Sequence, residues 1–122
     1  MESAAPPDPA VVRRWIDERR AAVRERLSEV ESRLSRVRDA RGEWTDEEHD
    51  PEGFALTFEW SHAQGTLAQH RAELIELDAA EARLEAGAFG RCERCGLPIP
   101  LAQLELRPAR TSCVACTPAA HR

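Results

Sequence analysis

The chain has 122 residues, of which 32% are charged and only 5% aromatic, and its formal net charge is −5. This composition is thin for a large globular core but suits long, solvated amphipathic helices. No stretch approaches 18 consecutive apolar residues, so we expect no membrane span. The acidic balance argues against strong direct binding of DNA, which usually requires a basic surface.

Residues 1–8 are rich in Ala and Pro and are predicted to form a disordered lead-in. They lack the basic-then-apolar layout of a secretory signal, so we expect a cytoplasmic protein with reduced cysteines. Asp8 and Pro9 are suited to the N-cap and first position of a helix. From there to about Arg41 no Gly or Pro intervenes, and apolar residues recur with the heptad spacing of a coiled-coil seam. These positions are Ile16, Val23, Leu27, Val30, Leu34, Val37 and Trp44.

A second periodic segment runs from about Phe54 to Ala86 and ends at Gly87, a natural helix C-cap. The turn signals of Gly42–Gly53 predict a short connection, which favours antiparallel helices. Residues 9–87 are therefore predicted to form a long antiparallel two-helix coiled-coil hairpin, which needs no second chain and suits a monomer. The seam of the second helix comprises Leu56, Trp60, Ala63, Leu67, His70, Leu74, Leu77, Glu81 and Leu84.

Two polar residues interrupt the first seam, and the antiparallel register gives each of them a partner. Arg20 falls opposite Glu81, which predicts a charge pair, and Arg41 falls opposite Trp60, which predicts a cation–π contact.

Residues 43–53, the acidic tip of the hairpin, contain six carboxylates and no Arg. One interpretation is a loop that is acidic because it faces water. A calcium loop is disfavoured because the order of the acids does not match an EF-hand. The functional interpretation is that repulsion among these acids is tolerated because a basic or metal-bearing partner binds there. The candidate effector residues are Asp46, Glu47, Asp50 and Glu52.

The strongest motif consists of two Cys-x-x-Cys pairs, Cys92 with Cys95 and Cys113 with Cys116, separated by 17 residues. This spacing predicts one structural Zn²⁺ with four thiolate ligands in a module over residues 88–122. Two redox or disulfide pairs are the alternative. The module's core is predicted to contain the apolar side chains of its connector, with Trp15 of the first helix packed on the module. Those connector residues are Ile99, Leu101, Leu104 and Leu106.

The run Gly90-Arg91-Cys92-Glu93-Arg94-Cys95-Gly96, then Ile99, Leu104-Glu105, Arg107-Pro108, Cys113 and Cys116, resembles the zinc finger of the DksA/TraR family of bacterial transcription regulators. The resemblance implies a coiled-coil arm that enters the secondary channel of RNA polymerase and places acidic tip residues near the catalytic magnesium. The effect on promoter complexes is often exerted together with ppGpp, which makes ppGpp a candidate partner. In the family the tip typically reads Asp-x-x-Asp-x-Ala, and this chain departs from that order.

Two other classes of function stay open at the level of sequence. A DNA-binding zinc finger would use the arginines around the cysteines, namely Arg91, Arg94, Arg107 and Arg110, on phosphates. A thiol oxidoreductase would need a reactive cysteine pair free of metal. A zinc hydrolase is disfavoured because four cysteines leave no open position for water, so we expect no enzyme activity.

Overall fold

Two long helices dominate the computed structural model, which describes residues 7–43 and 51–117 without the side chains of residues 41–43, 51–54 and 56. Helix α1 spans Pro9–Glu43 and helix α2 spans Pro51–Glu85. No helix in these ranges is long and apolar enough to cross a membrane.

The segment that follows α2 contains little regular structure. It carries a short helix, α3, at Leu101–Leu106 and one 3-10 turn at Val114–Cys116. Within the described part of the chain the β-type pairing is limited to an isolated antiparallel bridge between Arg91 and Pro98. The predicted mainly α hairpin, followed by a small module with four cysteines, is confirmed.

The start of α1 and the end of α2 are capped as the sequence predicts. The Asp8 carboxylate accepts a hydrogen bond from the Ala10 amide at 2.9 Å, as an N-cap does. At the end of α2 the Ala88 amide donates to the Arg83 carbonyl and the Gly87 amide donates to the Leu84 carbonyl. This pair of bonds is a Schellman motif, and Gly87 supplies the positive φ of +76° that the motif needs.

The connection between the helices is shorter than predicted. Gly42 lies inside α1, and Gly53 lies inside α2, which begins at Pro51. Pro51 occupies the first helical position, as Pro9 does in α1, because a missing N–H costs nothing there. The prediction of a connection over Gly42–Gly53 is wrong at both of its ends.

The chain divides into two compact units, one made of Ala22–Leu74 and the other of Met1–Ala21 with Ile75–Arg122. In the first unit, buried Val30 and Leu34 of α1 cluster with buried Ala63 and Leu67 of α2. Ion pairs show that the two helices are antiparallel, since Arg13 contacts Glu85 whereas Arg20, seven residues later in α1, contacts Asp78, seven residues earlier in α2. Leu27 and Trp60 pack against this cluster.

The second unit brings the start of α1 and the end of α2 together with the cysteine module. Ile16 of α1 and Leu77 of α2 are fully buried. Beneath the cysteines, a second cluster contains Ile99 and Leu104, and Trp15 packs against it as predicted.

Two leucines predicted to join the core of the module do not. Leu101 is 47% exposed and Leu106 is 79% exposed, whereas Leu104 is fully buried. Leu106 lies about half a turn from Leu104 and so points away from the cluster.

Candidate metal centre

The first cysteine pair lies on a tight turn that aims backbone amides at a sulfur. The amides of Arg94 and Cys95 approach the Cys92 Sγ at 3.4 and 3.5 Å, and the Gly96 amide donates to the Cys92 carbonyl at 2.9 Å. Gly96 has a φ of +77°, which closes the turn at a conformation that other residues avoid. A thiolate is the form of Cys92 that such donors favour.

Cys113 is the N-cap of the 3-10 turn and Cys116 is its last residue, and this pair contacts the first pair directly. The Cys113 amide approaches the Cys92 Sγ at 3.4 Å, so the sulfur of the first pair receives a donor from the second. The Cys116 amide donates to the Cys113 carbonyl at 3.0 Å, which holds these two residues on one turn. Cys92 is therefore the buried centre of the group, whereas Cys95 is exposed.

The four sulfurs have the spacing of a tetrahedral metal site. All four lie within 4.8 Å of one another, and the Cys95 and Cys113 sulfurs are 4.0 Å apart. Four thiolates bound to zinc at about 2.3 Å lie about 3.8 Å apart, so the group fits one Zn²⁺. All four cysteines are free, which does not support the alternative of disulfide pairs. The donor set fills the coordination sphere, which makes the zinc structural.

The surroundings shift the pKa values of Cys92 and Cys116 in opposite directions. Backbone hydrogen bonds from Cys95 and Cys113 lower the pKa of Cys92 to about 6, against an ordinary value of 9.0. The contact with Cys113, together with burial and contacts with Cys95 and Cys92, raises the pKa of Cys116 to about 12. A second or third thiolate at this spacing is unfavourable without a cation between them, and Zn²⁺ supplies that charge.

Polar contacts tie the two halves of the metal site to the rest of the module. The Glu93 amide donates to the Thr111 carbonyl at 2.9 Å, and the Thr111 hydroxyl donates to the Glu93 carboxylate at 3.2 Å. Gln103 of α3 accepts a hydrogen bond from the Val114 amide at 3.1 Å. The 3-10 turn that carries Cys116 is thus held by α3, which Leu104 anchors in the core.

A cavity of about 280 Å³ lies beside the metal site, in the same compact unit. Its lining combines arginine and hydroxyl side chains from the end of α2 and from the segment before the second cysteine pair: Glu76, Ala79, Arg83, Arg107, Ala109, Arg110, Thr111, Ser112 and Thr117. Nη2 of Arg83 and Nε of Arg110 are buried here without a hydrogen-bond partner. The sequence singled out Arg107 and Arg110 but not Arg83, since one Arg on a helix carries no distinguishing pattern.

Arg20 is the cation of one of the two predicted seam pairs, and it contacts several acids. Its Nη2 lies 2.9 Å from Glu81 Oε1 and 2.9 Å from Asp78 Oδ1, and its Nη1 lies 3.2 Å from Asp17 Oδ1. The side chain is 13% exposed. Burial lowers the pKa of Arg20, but its bonds to Asp78 and Glu81 outweigh burial and raise it.

The other predicted site residues lie wholly or partly outside the described residues. Asp46, Glu47 and Asp50 are among residues 44–50, and Glu52 lies in the first turn of α2 with its side chain undescribed. The side chain of Arg41 is also outside the described set, so its contact with Trp60 stays a prediction.

Fold and metal site together define a helical hairpin protein with a C4 zinc finger. A model of the prokaryotic dksA/traR C4-type zinc finger matches residues 87–117. This segment therefore belongs to the DksA/TraR zinc-finger family, and the resemblance predicted from the sequence is confirmed.

Individual relatives extend the comparison. The chain is similar to the RNA polymerase-binding transcription factor DksA of Caulobacter vibrioides, with 43% identity over 49 residues, covering 40% of this chain and 34% of that protein. It is also similar to the uncharacterized protein YlyA of Bacillus subtilis, with 45% identity over 51 residues, covering 40% of this chain and 41% of that protein. The matches thus span well under half the length of these relatives.

Among solved structures, the transcription factor DksA2 from Pseudomonas aeruginosa superposes with a TM-score of 0.71 at 23% identity. The match covers 94% of this chain and 86% of that one. Agreement at this level shows the fold.

Proposed function

We propose that this protein is a transcription regulator that binds RNA polymerase and inserts its coiled-coil hairpin into the secondary channel. The observation that carries the proposal is that the family zinc finger follows a two-helix hairpin, in a fold shared with DksA2 over 94% of the chain. A relative that is 43% identical over 49 residues is itself named an RNA polymerase-binding transcription factor. The protein acts as a monomer in the cytoplasm, where the polymerase is found.

Each segment of the chain has its own proposed role. Residues 1–8 are a lead-in, residues 9–87 form the hairpin that binds the polymerase, and residues 88–122 form the module that zinc stabilises. Zinc has no catalytic part in this scheme, since four cysteines leave no coordination position for a substrate. The effector groups are the carboxylates of the acidic tip, with Asp46 and Asp50 foremost and Glu47 and Glu52 beside them.

The direct test is retention of purified core RNA polymerase by the full-length, zinc-loaded chain. We expect binding that is lost when another channel-occupying protein is present. Absence of binding to both core enzyme and holoenzyme would refute the proposal.

A second measurement separates the effector residues from the binding surface. The double variant Asp46→Asn, Asp50→Asn is expected to retain polymerase binding but to lose the effect on promoter-complex lifetime. The matched control is Glu25→Gln, Glu29→Gln, which removes two exposed acids of the same spacing from α1. Equal loss of binding and effect in the tip variant would contradict this division.

The arginine-lined cavity suits ppGpp as the accompanying ligand. Arg83, Arg107 and Arg110 line the cavity and would offer phosphate oxygens charged hydrogen bonds, which are strong. Glu76 lines the same cavity and opposes an anion.

Calorimetric titration of the full chain with ppGpp tests this assignment. We expect Arg83→Gln to weaken binding at least tenfold, from the loss of about 1.5–3 kcal/mol for a charged hydrogen bond. Glu76→Gln should tighten binding about fivefold, since a like charge a few ångströms away costs about 1 kcal/mol in water. Arg33→Gln on α1 removes an exposed charge as the control. Unchanged affinity in both cavity variants would contradict the assignment.

The DNA-binding alternative is not favoured. The module's helix, α3, reads Leu-Ala-Gln-Leu-Glu-Leu and carries no basic side chain, and the side-chain carbonyl of Gln103 already accepts from the Val114 amide. A gel-shift assay of the zinc-loaded chain on duplex DNA should show no complex at physiological salt.

A further inference from the structure

Arg110 lies between the cavity and the loop that carries the second cysteine pair. Its Nη1 donates to the Ser112 carbonyl at 2.7 Å and approaches the Thr117 hydroxyl at 3.4 Å. Ser112 immediately precedes Cys113, and Thr117 immediately follows Cys116. One guanidinium therefore contacts both ends of the loop that supplies two of the four zinc ligands.

Further hydrogen bonds join the two ends of this loop to each other. The Ser112 and Thr117 hydroxyl oxygens are 3.2 Å apart. The Thr117 hydroxyl donates to the Cys113 carbonyl at 2.8 Å, and the Thr117 amide donates to the same carbonyl at 2.9 Å. Opening the loop to release Cys113 or Cys116 therefore requires several of these bonds to break.

Charge gives Arg110 a second effect on the metal site. Four thiolates carry more negative charge than one Zn²⁺ neutralises, and a nearby guanidinium stabilises the excess. Arg110 is half-buried, so solvent screens its charge less than that of an exposed arginine.

We propose that Arg110 is a positioning residue for zinc, which closes the loop of Cys113 and Cys116 and partly neutralises the tetrathiolate centre, and so slows the loss of the metal. This role is independent of polymerase binding. Residues that orient or support metal ligands typically contribute 10–100-fold to metal affinity.

The test compares the release of zinc from purified full-length variants into an excess of a chromogenic chelator. We expect Arg110→Gln to release zinc about tenfold or more faster than the unaltered chain. Arg110→Lys keeps the charge and one donor, so it should give an intermediate rate. The matched control is Arg94→Gln, which removes an exposed cation from the Cys92–Cys95 turn, where the contact of Arg94 with the Cys92 sulfur is made by its backbone amide. Its release rate should stay within about twofold of the unaltered chain.

A metal titration distinguishes this role from general destabilisation. Binding of Co²⁺, followed through its thiolate absorption bands, should weaken in the order unaltered chain, Arg110→Lys, Arg110→Gln, while far-UV circular dichroism of α1 and α2 is unchanged. If Arg110→Gln does not accumulate as a folded protein, the comparison of Arg110→Lys with Thr117→Val, which removes the hydroxyl at the loop end, decides. Equal release rates in Arg110→Gln and Arg94→Gln, or equal rates in Arg110→Lys, Thr117→Val and the unaltered chain, would overturn the proposal.

Discussion

Arg20 offers a quantitative test of how a charge is accommodated in the seam of the hairpin. Replacing Arg20 by Gln keeps much of the aliphatic stem and removes the charge that contacts Glu81 and Asp78 at 2.9 Å each. The two pairs differ in exposure, since the Glu81 side chain is 33% exposed and that of Asp78 is 70% exposed. Solvent therefore screens the Asp78 pair more strongly.

The expected magnitudes follow from that difference. The exposed pair with Asp78 should contribute about 0.2–1 kcal/mol to the free energy of unfolding. The better-shielded pair with Glu81 has the geometry of a charged hydrogen bond and should contribute about 1–2 kcal/mol. The third pair, with the 62% exposed Asp17, should add little, so we expect Arg20→Gln to lower the free energy of unfolding by about 2 kcal/mol.

Double-mutant cycles separate the two pairs. Urea unfolding of the zinc-loaded chain, followed by circular dichroism, would be measured for Arg20→Gln combined with Glu81→Gln or with Asp78→Asn. At 1 M salt, where screening acts over about 3 Å, the Asp78 coupling should vanish and much of the Glu81 coupling should remain. A larger coupling to Asp78 than to Glu81 would refute this reasoning.

Three further predictions concern the unit that contains the cysteine module. In a variant whose other tryptophans, Trp44 and Trp60, are replaced by Phe, removal of zinc by a chelator should shift Trp15 fluorescence to the red. The reason is that the packing partners of Trp15 surround the metal site. An unchanged spectrum would show that the cluster survives without metal. Leu104→Ala should destabilise the zinc-loaded unit by about 2–5 kcal/mol in urea unfolding, since Leu104 is fully buried, and a cost below about 1 kcal/mol would mean that the module has no firm core. Gly87→Ala should cost about 1–2 kcal/mol by the same assay, because Gly87 has a positive φ and nothing within 4 Å that a methyl group would strike, so the cost is purely conformational.

The helix ends and the metal site could be predicted from the sequence because their signals are local. Asp8 caps α1 through the amide two residues on, and Gly87 ends α2 through carbonyls three to five residues back. The cysteine pairs also follow from spacing, since each pair folds on its own turn. Heptad spacing located most of the buried positions of α1 in the same way.

The features that the sequence did not reveal depend on residues brought together by tertiary structure. The cavity joins Arg83 of α2 to Arg110, which lies 27 positions further along the chain, and no periodic pattern relates them. The seam register identified one acid opposite Arg20, but side chains one turn away reach it too, so Asp78 was missed. Gly53 is a turn signal in the sequence and yet lies inside α2, because Gly costs a helix only about 1 kcal/mol, which the rest of the helix outweighs.

The unit made of Met1–Ala21 and Ile75–Arg122 is discontinuous in sequence, and this imposes an order on folding during synthesis. Ala22–Leu74 is a continuous stretch and can form its contacts as soon as it leaves the ribosome, whereas Met1–Ala21 has its partners in Ile75–Arg122. The apolar side chains of Val12, Trp15 and Ile16 therefore stay unpacked until the residues from Ile75 onward have been translated. Capture of zinc by Cys113 and Cys116 comes later still, so in a cell short of zinc the cluster that Trp15 packs against would lack the metal that holds its cysteines together.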